Sequence, residues 1–132
     1  MANALYTKGK QKLLDAVFDC NGHTLKAVLV ASEHYTPNLA TDDELADIAE
    51  VAATATLANV TITDGVLDAD DTTFSAVTYP HNIDYLAIYD DSVAGDPLLI
   101  LDDDVSGFPF TPNGGDIRIQ WSNGADKICR LN

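Results

Sequence analysis

The clearest alternation of apolar and polar residues lies in residues 117–121, which read Ile-Arg-Ile-Gln-Trp. A period of two is typical of a β-strand with one apolar face. Asn123-Gly124 follows, a dipeptide that favours the type I′ turn of a hairpin, and Ile128 then marks a returning strand. An isolated hairpin is marginal in water. The pattern therefore predicts a C-terminal β-hairpin whose apolar face is covered by a second sheet.

Earlier in the chain, the apolar pattern predicts two helices and several strands. Residues 4–18 place leucines, Val17 and Phe18 on one side and lysines on the other, which predicts a helix. Residues 24–31, TLKAVLVA, form a nearly continuous apolar run, which is typical of a central strand covered on both faces. The capping-box spacing of residues 41–44 precedes Leu45 and Ile48, so a short helix of two turns is expected there.

The remaining apolar segments are short and are separated by turn residues such as Asp64-Gly65. Residues 52–63 predict one strand or two, and further strands are expected at 66–67, 73–77, 83–89 and 98–101. About eight strands at regular spacing favour an antiparallel, jelly-roll-like β-sandwich with an N-terminal helix and one short helix. We interpret residues 1–132 as a single domain, with residues 1–20 as a helical, basic N-terminal arm.

Charge is distributed unevenly along the chain. The formal net charge is −14, which disfavours direct binding to nucleic acid and to anionic membranes. Lys8, Lys10 and Lys12 nevertheless fall in the first twelve residues, where there is no acidic residue. These lysines form either a solvated helix face or a docking arm that contacts an acidic neighbour, possibly a second copy of the chain.

Targeting features and cysteines place few limits on the chain. No apolar run reaches transmembrane length, and lysines interrupt the apolar stretches that a signal peptide would need. Cys20 and Cys129 lie near opposite ends, so they pair only if those ends meet. Two reduced, buried thiols in a cytosolic product are the favoured reading.

No sequence pattern marks a catalytic or metal centre. Two aspartate groups, 68–71 and 102–104, offer oxygens to calcium, but the EF-hand spacing is absent and aspartates commonly form turns. His23, His34 and His81 show no zinc-ligand spacing, and there is no GxSxG or phosphate-loop motif. We therefore predict a protein that is not an enzyme, with no catalytic residue, metal or cofactor.

Aromatic residues supply the other candidate contacts. Those predicted on strands and near the C-terminal end either pack in the core, the favoured reading, or line a sugar-binding face; they are Tyr85, Tyr89, Phe108, Phe110 and Trp121. Tyr35 and Tyr79 fall in predicted loops beside prolines. We expect these two tyrosines to be exposed contacts, because binding residues tend to lie on loops. The predicted interaction residues are thus Lys8, Lys10, Lys12, Tyr35 and Tyr79.

Four segments together carry a resemblance to a known family. They are ANALYTKGKQKLL, TLKAVLV with the following YTPNLATDDELADI, DGVLDADDTTFSAV, and PNGGDIRIQWSNGADKICRL. In this order they resemble small virion structural proteins encoded by tailed bacteriophages and prophages, over nearly the whole chain. The matching motifs are turns and strand faces, and none is catalytic.

The resemblance implies a capsid decoration or cement protein with a β-sandwich fold, which usually forms trimers on the capsid surface. Its implied partners are the major capsid protein or other virion proteins, and its implied location is the virion after synthesis in the bacterial host cytoplasm. Two alternatives stay open: a tail or fibre adhesin that contacts the host surface, and a free glycan-binding β-sandwich. A calcium-dependent enzyme ranks behind both.

Overall fold

The computed structural model describes residues 4–103, 105–125 and 127–131. Within these residues the fold is mainly β, with antiparallel sheets of five, three and two strands, one short helix and a single turn of 3-10 helix. The helix α1 spans Thr7–Leu14, and the 3-10 turn spans Leu45–Asp47. The strands are β1 (Ala4–Leu5), β2 (Leu25–Val30), β3 (Ala53–Thr56), β4 (Thr61–Thr63), β5 (Val66–Asp68), β6 (Thr72–Phe74), β7 (Tyr85–Asp90), β8 (Leu98–Asp102), β9 (Ile117–Ile119) and β10 (Cys129–Arg130).

The five-stranded sheet has the order β1-β8-β7-β2-β3, so β2 and β7 lie at its centre. These two strands pair over six residues, from Leu25 opposite Asp90 to Val30 opposite Tyr85. Of the six residues of β2, only Lys26 is not buried, and its ammonium group lies 3.1 Å from the carboxylate of Asp91. The sequence prediction of a central strand covered on both faces is confirmed.

The two faces of this sheet belong to different apolar clusters. On one face, side chains of β2 such as Leu29 join a cluster that includes Leu67 of β5, Phe74 of β6 and Ile119 of β9. On the other face, Val28 packs in a cluster with residues of the segment 31–51. The smaller sheets and the long loop after β2 therefore cover the central strands from opposite sides. The mainly β, antiparallel prediction is confirmed, and the jelly-roll-like sandwich stays a prediction.

The predicted C-terminal hairpin is wrong, although the prediction of a buried face is correct. Strand β9 pairs with β6, and β10 pairs with β5, so β9 and β10 are not partners. Trp121 is 6% exposed, and its backbone N–H donates to the carboxylate of Asp71 at 3.1 Å. Its indole N–H donates to the carbonyl of Asp70 at 3.0 Å. These long-range bonds hold the end of β9 beside β6, and Gly124 lacks the positive φ that a type I′ turn requires.

The predicted N-terminal helix is too long at both ends. Ala4 and Leu5 form β1, which pairs with β8, and α1 ends at Leu14. Phe18, which was predicted in the same helix, lies beyond α1 in the main apolar cluster. The segment predicted as a basic arm therefore packs on the sheet from residue 4 onward, and its helical part is only eight residues long.

The predicted two-turn helix near Leu45 is a single 3-10 turn. The N–H of Leu45 donates to the carbonyl of Asp96 at 2.9 Å, and the N–H of Leu98 donates to the carbonyl of Asp43 at the same distance. The backbone of this segment is thus bonded to the chain leading into β8, which competes with helix formation. Its capping box is formed by Glu44 and Asp47, rather than by the predicted residues 41–44.

Within the described residues, no helix has the length and apolar character needed to cross a membrane.

Gly9 explains how α1 packs so closely on β8. A Cβ atom added at Gly9 would lie 2.8 Å from the carbonyl oxygen of Leu98 and 3.2 Å from the Cα of Leu99. Both are backbone atoms, so they cannot move aside without shifting the strand.

We expect Gly9→Ala to lower the free energy of unfolding by about 1–3 kcal/mol, although alanine is intrinsically better than glycine in a helix by about 1 kcal/mol. Urea denaturation measures the difference. Gln11→Ala on the exposed side of α1 is the control and should change stability by less than about 0.5 kcal/mol; a stabilised Gly9→Ala protein would contradict the packing.

Candidate functional site

The three lysines predicted as interaction residues do not act as one group. Lys8 and Lys10 are exposed on α1, whereas Lys12 is partly buried and its ammonium group contacts the carboxylate of Asp43. Lys12 therefore ties α1 to the segment that precedes the 3-10 turn. Only Lys8 and Lys10 of the three point away from the protein and are placed to meet a partner.

Tyr35 is buried, so the prediction of an exposed contact is wrong. It is 5% exposed, and its hydroxyl lies 2.8 Å from the hydroxyl of Tyr6 and donates to the carboxylate of Asp42 at 2.6 Å. Burial raises the pKa of Tyr35, and the hydrogen bond to Asp42 raises it further. Burial also raises the pKa of Tyr6, to about 12. This buried chain of hydroxyls links the N-terminal segment to the loop after β2, which is a structural role.

Tyr79 is partly buried in a cluster of aromatic rings. Its ring packs edge-on against His81 at 5.4 Å between centroids and against His34 at 6.4 Å. Burial, followed by the nearby carboxylates of Glu50 and Glu33, raises the pKa of Tyr79 to about 12. His34 and His81 are far apart in the sequence and show no metal-ligand spacing, but the fold brings their ring centroids to 4.8 Å from each other.

The other polar residues singled out in the sequence have structural partners. The ring of His23 lies 2.7 Å from the carboxylate of Asp90, which is fully buried. In the first aspartate group, Asp70 accepts a hydrogen bond from Asn59, and Asp71 pairs with Arg118 at 2.7 Å. These carboxylates are engaged in holding loops and strands, as expected for turn residues. Asp104 of the second group lies outside the described residues.

An apolar groove opens between the segment that follows α1 and one face of the three-stranded sheet, where Ile62, Leu67 and Cys129 are cross-strand neighbours. Its volume is about 440 Å³. Ile62 on β4 is 45% exposed and Leu131 after β10 is 52% exposed, and both line this groove. Leu14, at the end of α1 and next to the groove-lining Leu13, is 89% exposed. The other lining residues are Leu5, Ala16, Phe18, Asp19, Cys20, Asn21, Gly65, Leu67, Leu99 and Cys129.

The groove and the exposed side of α1 together form a surface suited to protein contacts. A contiguous exposed apolar surface on a folded protein is typical of an interaction site, whereas single exposed leucines are ordinary. Lys10 and Leu14 are four residues apart on α1, so they lie on one helix face. Lys8 is two positions from Lys10 and therefore projects from a different side of α1. We call Lys10, Leu14, Ile62 and Leu131 the groove surface; it combines apolar groups with positive charge on a protein of net charge −14.

The two cysteines lie close together although they are far apart in sequence. Cys20 and Cys129 are both partly buried and form part of the groove lining. Burial, followed by the charge of Asp90 and the neighbouring Cys129, raises the pKa of the Cys20 thiol to about 11. The ends of the described chain thus meet at this groove.

The five aromatic side chains considered for a sugar-binding face do not form an exposed platform. Trp121 and Tyr89 are buried, at 6% and 4% exposure. Phe108 and Phe110 are partly buried against the main cluster, and Tyr85 is partly buried against the second cluster. None of these five rings is fully exposed, so they do not form an open stacking platform for a sugar.

Comparisons with known proteins leave the site to be interpreted from its geometry. No family model, no curated protein and no solved structure matches the chain.

The surroundings of Cys20 predict slow thiol chemistry. Because its pKa is about 11, we expect Cys20 to react about 100-fold more slowly with iodoacetamide at pH 8 than a thiol of ordinary pKa near 9.0. The rate should rise with pH until the thiolate forms near pH 11. Alkylation of a Cys129→Ser protein, followed by mass spectrometry, isolates Cys20. A rate at pH 8 equal to that of an unfolded control peptide would show that burial does not protect the thiol.

Proposed function

We propose that the chain is a non-enzymatic virion structural protein of a tailed bacteriophage, and most specifically a capsid decoration or cement protein. In this role it stabilises the head surface through contacts with other copies of itself, as a trimer, and with the major capsid protein. The single observation that carries the proposal is the groove surface, where Ile62 and Leu131 are half exposed along one apolar groove. The family resemblance of the sequence supports the assignment to virions.

We propose a jelly-roll-like β-sandwich as the arrangement of the sheets. The shared apolar cluster supports it, because Leu67 of β5, Phe74 of β6 and Ile119 of β9 pack with the side chains of β2 on one face of the large sheet. Two sheets that bury their apolar faces against each other define a sandwich. A fold of this kind does its work through its outer surface when no catalytic cleft is built into it.

The proposed occupant of the groove surface is a second copy of the chain. Charge complementarity supports this choice, because Lys8 and Lys10 are exposed on a helix whereas the chain as a whole carries a net charge of −14. A neighbouring copy offers abundant carboxylates to these lysines and apolar side chains to the groove. Opposite charges of this kind guide association and fix the orientation of the partners. Lys12 is excluded from this contact by its pairing with Asp43.

The tail-adhesin alternative shares the virion location and differs in where the protein is attached. Labelling of purified particles separates the two, because a decoration protein covers the head whereas an adhesin marks only the tail tip. The glycan-binding alternative requires exposed aromatic rings, and the partial or complete burial of the rings named above gives it no support.

We expect Ile62→Lys to weaken self-association and attachment to particles. A charge placed in the apolar groove would have to be buried without a partner in the assembled state, which is costly. Sedimentation equilibrium should show a shift from an oligomer toward monomer, and quantitative gels of purified particles should show fewer bound copies. The position is 45% exposed, so the isolated chain should keep its fold and its circular dichroism spectrum.

Thr63→Lys is the matched control. Thr63 is exposed on the same strand, one position from Ile62, and does not line the groove. The substitution adds the same charge and should leave assembly and particle attachment unchanged. A wild-type chain that stays monomeric and is absent from particles would overturn the proposed function. Equal effects of the two substitutions on assembly would show that the contact between copies does not lie at the groove.

A further inference from the structure

Two loops that are far apart in sequence place two imidazoles and a carboxylate together. Glu33 and His34 lie in the loop after β2, and His81 lies in the loop before β7. One potential ligand atom from each of the three residues lies within 4.8 Å of the other two. The ring of His81 contacts the carboxylate of Glu33 through Nδ1. Since β2 and β7 are antiparallel neighbours, the last residue of β2 lies opposite the first residue of β7, and the two loops leave the sheet at the same end of this strand pair.

Hydrogen bonds join the two loops that carry these groups. Both the backbone N–H and the hydroxyl of Ser32 donate to one carboxylate oxygen of Asp84, at 3.0 and 2.7 Å. The N–H of Asp84 in turn donates to the carbonyl of Val30 at 3.0 Å. Ile83, which precedes Asp84 in the loop before β7, is fully buried. It exchanges backbone hydrogen bonds with Phe110. Ser32 immediately precedes Glu33, so this network fixes one loop against the other.

His34 provides the observation that points to a ligand. Its Nε2 atom is buried, and it has no hydrogen-bond partner in the part of the chain that the structure describes. A buried polar atom without a partner costs free energy, so such atoms are uncommon in native proteins and call for an explanation. A bound ion that takes the nitrogen lone pair supplies that explanation, since a neutral imidazole nitrogen is a common metal ligand.

We propose that Glu33, His34 and His81 form a binding site for a divalent transition-metal ion, and that zinc is the ion of choice. Two imidazole nitrogens and one carboxylate oxygen match the ligands of open zinc sites, in which water fills the fourth position. Calcium and magnesium prefer oxygen ligands, so the two imidazoles disfavour them. The nearby carboxylates of Glu50 and Asp84 and the net charge of −14 also favour a cation here.

The exposure of the three side chains fits an ion that enters from solvent. The side chain of Glu33 is 62% exposed and that of His81 is 31% exposed, whereas the free nitrogen of His34 is buried. Zinc lies about 2.0–2.1 Å from nitrogen and oxygen ligands. We expect rotation of the Glu33 and His81 side chains, whose ligand atoms lie within 4.8 Å of that of His34, to bring them onto the ion. The bound ion joins the loop after β2 to the loop before β7 and so ties together the ends of the two central strands.

Zinc affinity tests the site without reference to any virion. The full chain, stripped with a chelator, is titrated with Zn²⁺ in competition with a chromogenic chelator, and its Tm is recorded in parallel. We expect one equivalent of zinc to bind and to raise the Tm, with no effect of Ca²⁺ or Mg²⁺ at equal concentration. Loss of a residue that only hydrogen-bonds to a metal ligand lowers metal affinity by about 10–100-fold, so removing a ligand itself with His81→Gln or Glu33→Gln should lower it by at least that factor.

Two control variants distinguish this site from other zinc ligands. His23→Gln removes the histidine that pairs with Asp90, and Cys20→Ser removes a thiol of the groove; both should leave the zinc affinity unchanged. The zinc affinity of His34→Gln is informative only if its circular dichroism spectrum matches that of the wild type. If it does not, the variants of the two more exposed ligands, His81→Gln and Glu33→Gln, decide the outcome. Absence of zinc binding by the wild type, or unchanged affinity in both His81→Gln and Glu33→Gln, overturns the site. Loss of affinity in Cys20→Ser assigns zinc to the thiols instead and overturns it equally.

Discussion

The pairing of β2 with β7 is the interaction on which the rest of the structure depends. Six consecutive residue pairs join these strands, and apolar clusters cover both of their faces. Each large apolar side chain that becomes fully buried contributes about 1.5–3 kcal/mol, so this pair holds a large share of the driving force for folding. The pairing also positions the chemistry at its two ends. One end brings His34 next to His81, and the other places Lys26 against Asp91 and His23 against Asp90.

Local patterns in the sequence predict the type of many elements but not their partners. The continuous apolar run of β2 must be covered on both faces, so the run itself indicates a central strand. Asp64-Gly65 forms the two-residue turn between β4 and β5, with positive φ at both residues. Asn123-Gly124 carries a similar local preference, yet the strands around it have different partners. Here bonds from Trp121 to residues fifty positions earlier outweigh the turn preference, and no local pattern encodes them.

The candidate sites are less predictable than the fold, because each one is assembled from distant segments. The groove joins residues that follow α1 to Ile62 and Leu131, and the histidine cluster joins two loops that are 47 positions apart. Spacing rules for metal ligands detect only ligands that lie near one another in sequence. The exposure of Tyr35 was mispredicted for a related reason: a loop beside a proline can still lie under other segments, and the hydroxyl of Tyr35 is satisfied by Tyr6 and Asp42. The charge pattern of the lysines does not predict which of them are engaged within the protein, because the fold pairs Lys12 with Asp43 and leaves Lys8 and Lys10 exposed.

Native-state hydrogen exchange tests the central role of the β2–β7 pair most directly. If these strands hold the fold together, their backbone amides become accessible only when the whole protein unfolds, and their exchange free energies equal the global free energy of unfolding. Amides of β4 and β10, which are short strands of the three-stranded sheet, should exchange through local openings with free energies below the global value. Exchange from Leu25–Val30 and Tyr85–Asp90 that is as fast as from β4, at low denaturant, would contradict the account.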